Sequence, residues 1–242
     1  MRIPRFYCPD IEQQIESMPL PDAAHRHAVQ VLRLRQGESL RVFNGKGLEY
    51  HAVLEATAKR KSTIKLLEKV SEQTESPLKI TLLQSISRGE RMDYALQKSV
   101  ELGVSQIIPV ITERCNVPLS QGRAEKRWAH WQGVMIAACE QSGRSVLPDL
   151  TEVTSLDAVL NNASLQGKIV LDPLAETGFS SLDIKTDVSL LIGPEGGLSD
   201  QEITQATQAD FQAVRFGPRI LRTETATVAA LAVVQTMWGD LG

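Results

Sequence analysis

The chain has 242 residues, of which 42% are hydrophobic and 23% charged, and its formal net charge is -3 at pH 7. This balance excludes disordered and fibrous proteins, and the length suits one large domain or two modest ones. No stretch approaches the roughly 20 apolar residues that cross a bilayer, and the first ten residues lack a signal-peptide core, so we expect a cytoplasmic protein without a membrane partner.

Short strands and one helix are predicted for residues 1–72. Alternating or β-branched apolar residues predict four strands, at residues 2–7, 39–44, 48–57 and 63–70. A helix is predicted over 23–34, and Gly45-Lys46-Gly47 predicts a hairpin turn because glycine adopts the positive φ that such turns require. This β-rich domain is followed by a polar segment, residues 73–77, that we interpret as a linker.

The same 72 residues are the basic part of the chain. They carry 12 Lys and Arg residues against 9 Asp and Glu, whereas the remaining 170 residues carry 14 against 20. A basic module joined to an acidic one is compatible with binding a polyanion through one end. Scattered surface charge explains the same numbers.

After Pro77, apolar runs alternate with helical segments. Strands are predicted at residues 80–86, 106–111, 168–171, 188–192 and 213–216. Helices are predicted near residues 92–102, 124–141, 200–207 and 223–237. Strands that alternate with helices imply parallel β-α-β units, so the sequence predicts an α/β domain over 78–242.

Several common catalytic motifs are missing. The sequence has no GxxxxGK[ST] loop, no GxGxxG after a strand, no HExxH and no GxSxG, which argues against nucleotide hydrolysis, nicotinamide chemistry, zinc proteolysis and serine hydrolysis. Three separated cysteines form no CxxC pair, so neither a zinc site nor a disulfide framework is expected. His130, the one histidine of the α/β domain, is predicted as a helix-surface residue.

Two glycine-containing loops follow predicted strands and carry the strongest functional signal. Residues 192–197 read IGPEGG, and Ser199 with Glu202 then forms a capping box that begins a helix. Residues 216–222 read FGPRILR and also run into a helix. The carboxyl ends of parallel strands bind ligands in open α/β sheets, and glycine allows close backbone approach. A tight connection explains either loop alone, but the pair favours a ligand site.

Two further segments carry basic residues. SRGERMDYALQKSVELG places Arg88 at the carboxyl end of the first strand of the α/β domain. ACEQSGR ends a helix, with Gly143 as its C-cap, so Arg144 either complements the helix dipole or contacts RNA.

These motifs together resemble the RsmE family of 16S rRNA uridine-N3 methyltransferases. The resemblance rests on LLIGPEGGLSDQEI, FGPRILRTETA, SRGERMDYALQKSVELGVSQIIPV, AACEQSGR, MRIPRFY and HAVQVLRLRQGE, which span nearly the whole chain. It implies a PUA-like RNA-binding domain followed by an α/β SPOUT domain with a trefoil knot. It also implies a homodimer that acts on 16S rRNA of the small ribosomal subunit, with S-adenosyl-L-methionine as cofactor and no metal.

The resemblance further implies a cofactor pocket made by three loops of the knot. The residues that match these loops are Leu171, Asp172, Pro173, Ile192, Gly193, Pro194, Glu195, Gly196, Gly197, Phe216, Gly217, Pro218, Ile220, Leu221 and Arg222.

Methylation of N3 of uridine requires loss of the imide proton, which spreads negative charge over N3, O2 and O4. Such a site needs a proton acceptor and fixed cations. Arginine stays charged and presents a planar fork of donors, so we predict that Arg88 and Arg222 contact the uridine or its flanking phosphate. Glu195 is the first candidate for the proton acceptor, with Glu224 second, and shaping the glycine loop is the alternative role of Glu195.

RNA affinity is predicted to come from contacts between basic residues and phosphates. The predicted RNA-binding residues are Arg2, Arg5, Arg26, Arg33, Arg35 and Arg144. Two other functions compete with this prediction: another SPOUT RNA methyltransferase, acting on a ribose hydroxyl or on tRNA, and a non-catalytic RNA-binding factor for ribosome assembly.

Overall fold

The structure is a computed structural model that describes residues 3–12, 16–72, 74–116, 121–184 and 187–242. The chain divides into two units, Met1–Glu75 with Cys139–Leu147, and Ser76–Ala138 with Pro148–Gly242. The boundary between the two units, after Glu75, therefore falls within the predicted linker, residues 73–77. Residue 73 of this linker lies outside the described residues. Cys139–Leu147 is grouped with the first unit, although the sequence places it in the second domain.

The first unit is built on a five-stranded sheet in the order β1-β3-β4-β5-β2, in which β1 and β3 pair in parallel and the other neighbours are antiparallel. Its elements are β1 (Arg5–Tyr7), β2 (Ser17–Pro19), α1 (Asp22–His25), β3 (Ser39–Phe43), β4 (Glu49–Thr57) and β5 (Ser62–Lys69). The predicted hairpin between β3 and β4 is confirmed, with φ of 75° at Gly45 and 89° at Gly47. The Asn44 side chain stabilises this turn by accepting the backbone N–H of Lys46 at 2.8 Å.

The predicted helix over 23–34 differs from the observed one. It begins as α1, continues as a π-helix over Arg26–Val31, and is followed by Arg33 with a φ of 57°. The Leu32 N–H donates to the carbonyl of His27, five residues earlier, at 2.9 Å. The spacing of apolar residues in a sequence does not distinguish a π-helix from an α-helix, so the π-helix could not be predicted. Strand β2 was not predicted either, because three residues are too few to show an alternation of apolar and polar residues.

The second unit contains a parallel sheet in the order β12-β10-β11-β6-β7-β8, with β9 also paired to β7. Its elements are β6 (Ile80–Ser85), α2 (Glu90–Glu101), β7 (Gln106–Ile111), α3 (Gln121–Ser142, in this unit as far as Ala138), β8 (Asp149–Leu150), β9 (Thr154–Ser155), α4 (Leu156–Leu160), β10 (Lys168–Leu171), β11 (Val188–Ile192), α5 (Asp200–Gln208), β12 (Gln212–Val214) and α6 (Thr223–Trp238). The predicted α/β architecture is confirmed. The sequence missed β8, β9 and α4 because two to five residues are too few to show a period.

Burial follows position in this sheet. All five residues of β11 are buried, as expected for an internal strand of a parallel sheet. Ala230, Leu231 and Val234 of α6 are also buried, and α6 packs against α2, so packing within the chain accounts for these residues. Within the described residues, no helix combines the length and the hydropathy that a bilayer span requires.

Candidate active site

A cavity of about 390 Å³ lies at the carboxyl ends of β10, β11 and β12, which are neighbours in the sheet. Three loops line it, at residues 171–174, 192–198 and 216–221. Every residue of these loops except Pro218 contributes to the lining. This volume is within the range of small-molecule pockets, and this edge of a parallel sheet is where such pockets form. The three predicted cofactor loops therefore meet at one cavity, with Pro218 and Arg222 outside its lining.

The first glycine of the IGPEGG loop has no room for a side chain. A Cβ atom on Gly193 would lie 2.9 Å from the backbone nitrogen of Leu198 and 3.2 Å from the carbonyl carbon of Gly197. Gly197 itself has a φ of 70°, and its N–H donates to the carbonyl of Pro194 at 2.9 Å. Glycine is therefore required here so that the loop can turn back on itself.

Buried polar side chains fix this loop to the start of α6. The Thr223 hydroxyl donates to the carbonyl of Gly193 at 2.7 Å and accepts from the Gln84 amide at 3.2 Å. The Thr227 hydroxyl donates to the Gln84 carbonyl oxygen at 2.7 Å. Gln84 and Thr227 are fully buried. The sequence analysis did not predict a role for Gln84, although a glutamine within the apolar run of β6 indicates a buried side chain with a hydrogen-bond partner.

Arg114 is a second residue that the sequence analysis missed. Its guanidinium donates to the carbonyls of Gly196 and Leu198 at 3.0 and 3.2 Å, and the residue lines the cavity. Arg114 lies shortly after the predicted strand 106–111. Searching the carboxyl end of every predicted strand for basic residues would have found it.

The predicted capping box at the start of α5 is confirmed. The Ser199 hydroxyl accepts the Glu202 N–H at 3.3 Å, and the Glu202 carboxylate accepts the Ser199 N–H at 2.8 Å. The other carboxylate oxygen of Glu202 accepts the N–H of Glu113 at 2.8 Å. Glu202 thus fixes both the helix that follows the glycine loop and the segment that carries Arg114.

Glu195, in the glycine loop, contacts the loop that follows β6. Its Oε1 atom accepts the backbone N–H of Arg88 at 2.9 Å and is 3.3 Å from Nη1 of Arg91. Partial burial favours a higher pKa for Glu195, but the N–H groups of Arg88 and of Glu195 itself, together with the charge of Arg91, outweigh it and hold the pKa below its ordinary value. A carboxylate with a lowered pKa is a weaker proton acceptor. The geometry therefore favours a positioning role for Glu195.

The other predicted catalytic residues do not line the cavity, but they are next to residues that do. Arg88 is exposed beside Glu195, and Arg222 is exposed between the lining residues Leu221 and Thr223. Glu224 is partly buried, and its Oε2 atom has no hydrogen-bond partner within the described parts of the chain. Glu224 thus remains a candidate for the proton acceptor. In the same described parts, no three His, Cys, Asp or Glu side chains are grouped to hold a metal ion.

The predicted RNA-binding arginines fall into two groups. Arg26, Arg33 and Arg35 are exposed, whereas Arg5 and Arg144 are only 8% and 5% exposed. Arg2 lies outside the described residues.

The two buried arginines stabilise the first unit. Arg5 donates to both carboxylate oxygens of Glu49 at 2.9 and 2.8 Å and to the carbonyl of Arg144 at 3.0 Å. Arg144 donates to Glu75 at 2.9 Å. Because these groups are already paired and shielded from solvent, we revise the assignment of Arg5 and Arg144 from RNA contacts to structural residues.

Two family models match the chain. Residues 74–235 match an RNA methyltransferase domain, and residues 20–67 match an RNA methyltransferase PUA domain. Among curated proteins, the chain is 36% identical to ribosomal RNA small subunit methyltransferase E of Buchnera aphidicola subsp. Schizaphis graminum, with 99% of this chain and 98% of that protein covered. The protein of the same name from Bacillus subtilis is 29% identical, with 95% of each chain covered.

Solved structures agree with these matches. A ribosomal RNA small subunit methyltransferase E from Neisseria gonorrhoeae, bound to S-adenosyl methionine, superposes with a TM-score of 0.93 and 43% identity over 100% of both chains. A putative methyltransferase from Legionella pneumophila, in complex with the same cofactor, gives a TM-score of 0.96 and 40% identity over 100% of both chains. The expected PUA-like domain followed by a SPOUT-type α/β domain is thereby confirmed. The chain belongs to the ribosomal RNA small subunit methyltransferase E family.

Proposed function

We propose that the chain transfers a methyl group from S-adenosyl-L-methionine to N3 of a specific uridine in 16S rRNA of the small ribosomal subunit. The observation that carries this proposal is the meeting of three loops at one cavity of about 390 Å³, where the chain folds like relatives that bind this cofactor. The names of the curated relatives and the motifs of the sequence support the proposed RNA substrate.

The residues of the cavity suit this cofactor. Ile192, Val214 and Ala226 offer apolar contacts, and the glycine loop presents its backbone to the cavity. The lining carries both carboxylates, at Asp172 and Asp200, and guanidinium groups, at Arg114 and Arg219, which suits a ligand that has sulfonium and ammonium charges together with a carboxylate. The bound cofactor supplies an electrophilic methyl group.

The chain's own residues then prepare the uridine. Arg88, whose backbone contacts Glu195, and Arg222, which lies between two lining residues, stabilise the negative charge that develops on the imide oxygens. Glu195 positions the Arg88 backbone through the 2.9 Å hydrogen bond. Glu224, with an unpartnered carboxylate oxygen among the described residues, is our candidate for the proton acceptor.

We also propose that the protein acts as a homodimer in the cytoplasm. Leu174 and Ile220, at the edge of the cavity, are 83% and 87% exposed. Exposed apolar side chains beside a binding site are typical of a protein interface, and we infer that a second copy of this chain packs against them. Multi-angle light scattering of the purified protein is expected to give twice the mass of 26.6 kDa.

Two measurements on the purified protein test the activity. Calorimetry is expected to show binding of S-adenosyl-L-methionine, and mass spectrometry of nucleosides from treated 16S rRNA is expected to show 3-methyluridine. A ribose-methylated nucleoside, or methylation of tRNA instead, would assign the chain to another SPOUT activity. Absence of cofactor binding would favour a non-catalytic assembly factor.

Replacing Glu195 with glutamine is expected to keep the single-turnover methylation rate within about fivefold of wild type at neutral pH, because the amide oxygen still accepts the Arg88 N–H and an exposed ion pair contributes little. Since the pKa of Glu195 is lowered, its contribution to stability is complete above the ordinary carboxyl pKa and is lost as pH falls through the lowered value. The pH profile of the methylation rate checks the catalytic role, and the free energy of unfolding measured at acidic pH checks the contribution to stability. A rate at least about 100-fold lower that recovers as pH rises would identify Glu195 as the general base.

A triple variant with glutamine in place of Arg26, Arg33 and Arg35 is expected to bind RNA more weakly. The slope of the logarithm of its RNA association constant against the logarithm of salt concentration is expected to fall by about 2, because each phosphate contact with a single strand contributes about 0.7. Filter binding at several salt concentrations measures this slope. Neutralising Lys59, Arg60 and Lys61, which are exposed in the turn between β4 and β5, is the matched control. Equal slopes for the two triple variants would remove the special role of residues 26–35.

A further inference from the structure

A second cavity of about 400 Å³ lies in the second unit, beside the site described above. Its lining includes Arg88, Met92, Asp93, Arg127, His130 and Trp131. The proposed methyl transfer uses one of these residues, Arg88, and gives the others no role.

The two cavities are separated by one short segment of chain. Residues 87–89 line the second cavity, and the backbone N–H of Arg88 donates to Glu195, which lines the first. A polymer with one unit beside the first cavity therefore has its neighbouring unit within reach of the second.

The chemistry of the second cavity suits a nucleotide. Met92 and Trp131, 1% and 3% exposed, form an apolar floor, and the guanidinium groups of Arg88 and Arg127 supply positive charge. The side chain of His130 is 58% exposed, and its Nε2 atom lies 2.9 Å from Oδ2 of Asp93. This contact fixes the orientation of a flat aromatic ring at the edge of the cavity. Arginine suits phosphate, and a fixed aromatic ring suits an unstacked base.

We propose that this cavity is a nucleotide subsite for the RNA substrate, and that it binds the nucleotide next to the methylated uridine. Arg127 binds its phosphate, and the imidazole ring of His130 stacks on its base. This inference rests on the proposed function, since an RNA substrate is what places a second nucleotide there.

Substitution of His130 tests the stacking. His130→Ala is expected to weaken equilibrium binding of transcribed 16S rRNA by about tenfold, and His130→Phe, which keeps an aromatic face, is expected to bind within about threefold of wild type. Wild-type affinity in His130→Ala would overturn the subsite. A loss in His130→Phe as large as in His130→Ala would overturn stacking.

Substitution of Arg127 tests the phosphate contact. Arg127→Gln is expected to reduce the slope of log K against log salt by about 0.7. Lys126→Gln removes the same charge from the adjacent position of α3, is exposed and does not line the cavity, so it is the matched control and is expected to keep the wild-type slope. Equal slopes in the two variants would overturn the contact.

Assays of cofactor binding and of methylation distinguish failure of the nucleotide subsite from failure of the proposed function. Every variant is expected to bind S-adenosyl-L-methionine as the wild type does, because none of the substituted residues lines the first cavity. If the wild type methylates 16S rRNA and the His130 and Arg127 variants bind RNA normally, the subsite fails and the proposed function stands. If the wild type binds RNA through His130 but methylates no RNA, the proposed function fails and the cavity remains an RNA-binding site.

Discussion

Replacing Gly193 with alanine is expected to weaken binding of S-adenosyl-L-methionine by about 5- to 150-fold, which corresponds to about 1–3 kcal/mol of steric strain. The added Cβ would lie 2.9 Å from a backbone nitrogen and 3.2 Å from a backbone carbon, and neither atom can move unless the loop moves. Displacing the loop also breaks the hydrogen bond from Thr223 to the Gly193 carbonyl. Titration calorimetry with the cofactor measures the effect.

Gly133→Ala is the matched control. Gly133 is within α3, and no atom lies within 4 Å of the Cβ that alanine would add. Alanine at this position is expected to leave cofactor affinity unchanged and to raise the free energy of unfolding by up to about 1 kcal/mol. Wild-type affinity in Gly193→Ala would contradict the role that we give to the close approach at Gly193.

Replacing Arg5 with alanine is expected to lower the free energy of unfolding by about 3 kcal/mol, because buried Glu49 loses its bidentate partner and keeps only Arg41, whose Nη1 atom is 3.9 Å away. The backbone carbonyl of Arg144 loses its donor as well. Urea unfolding followed by circular dichroism measures the change.

Two comparisons separate this structural role from RNA contact. The double substitution Arg5→Met with Glu49→Leu is expected to recover much of the lost stability, since it removes both buried charges. Arg35→Ala removes an exposed charge from the same unit and is expected to change stability by less than about 0.5 kcal/mol. Unchanged stability of Arg5→Ala, combined with weaker RNA binding, would restore Arg5 as an RNA contact.

Two of the three cavity loops could be predicted from the sequence as ligand loops because their signals are local, whereas the loop at 171–173 and the identity of the cofactor came only from the family resemblance. Gly193 and Gly197 follow a continuous apolar strand. Ser199 and Glu202, three residues apart, form the capping box at which the next helix begins. Such patterns depend on backbone conformation within a few residues. The predicted strands and loops are therefore present in the structure, with ends that differ by a few residues.

The residues that were missed depend on partners distant in sequence. Arg114 contacts a loop more than 80 residues away, and Gln84 contacts Thr223 across 139 residues. The burial of Arg5 likewise depends on the carbonyl of Arg144, so basic composition alone assigned it to the surface. A knot depends on the whole path of the chain, and only the family resemblance implied it.

The grouping of Cys139–Leu147 with the first unit has a consequence for synthesis on the ribosome. Domains generally fold in the order in which they emerge, starting at the amino terminus. Here the amino-terminal unit lacks the carbonyl that binds Arg5 and the partner of Glu75 until Arg144 has been translated. We therefore expect that the first unit of a nascent chain reaches its full resistance to protease only once residue 147 has left the exit tunnel.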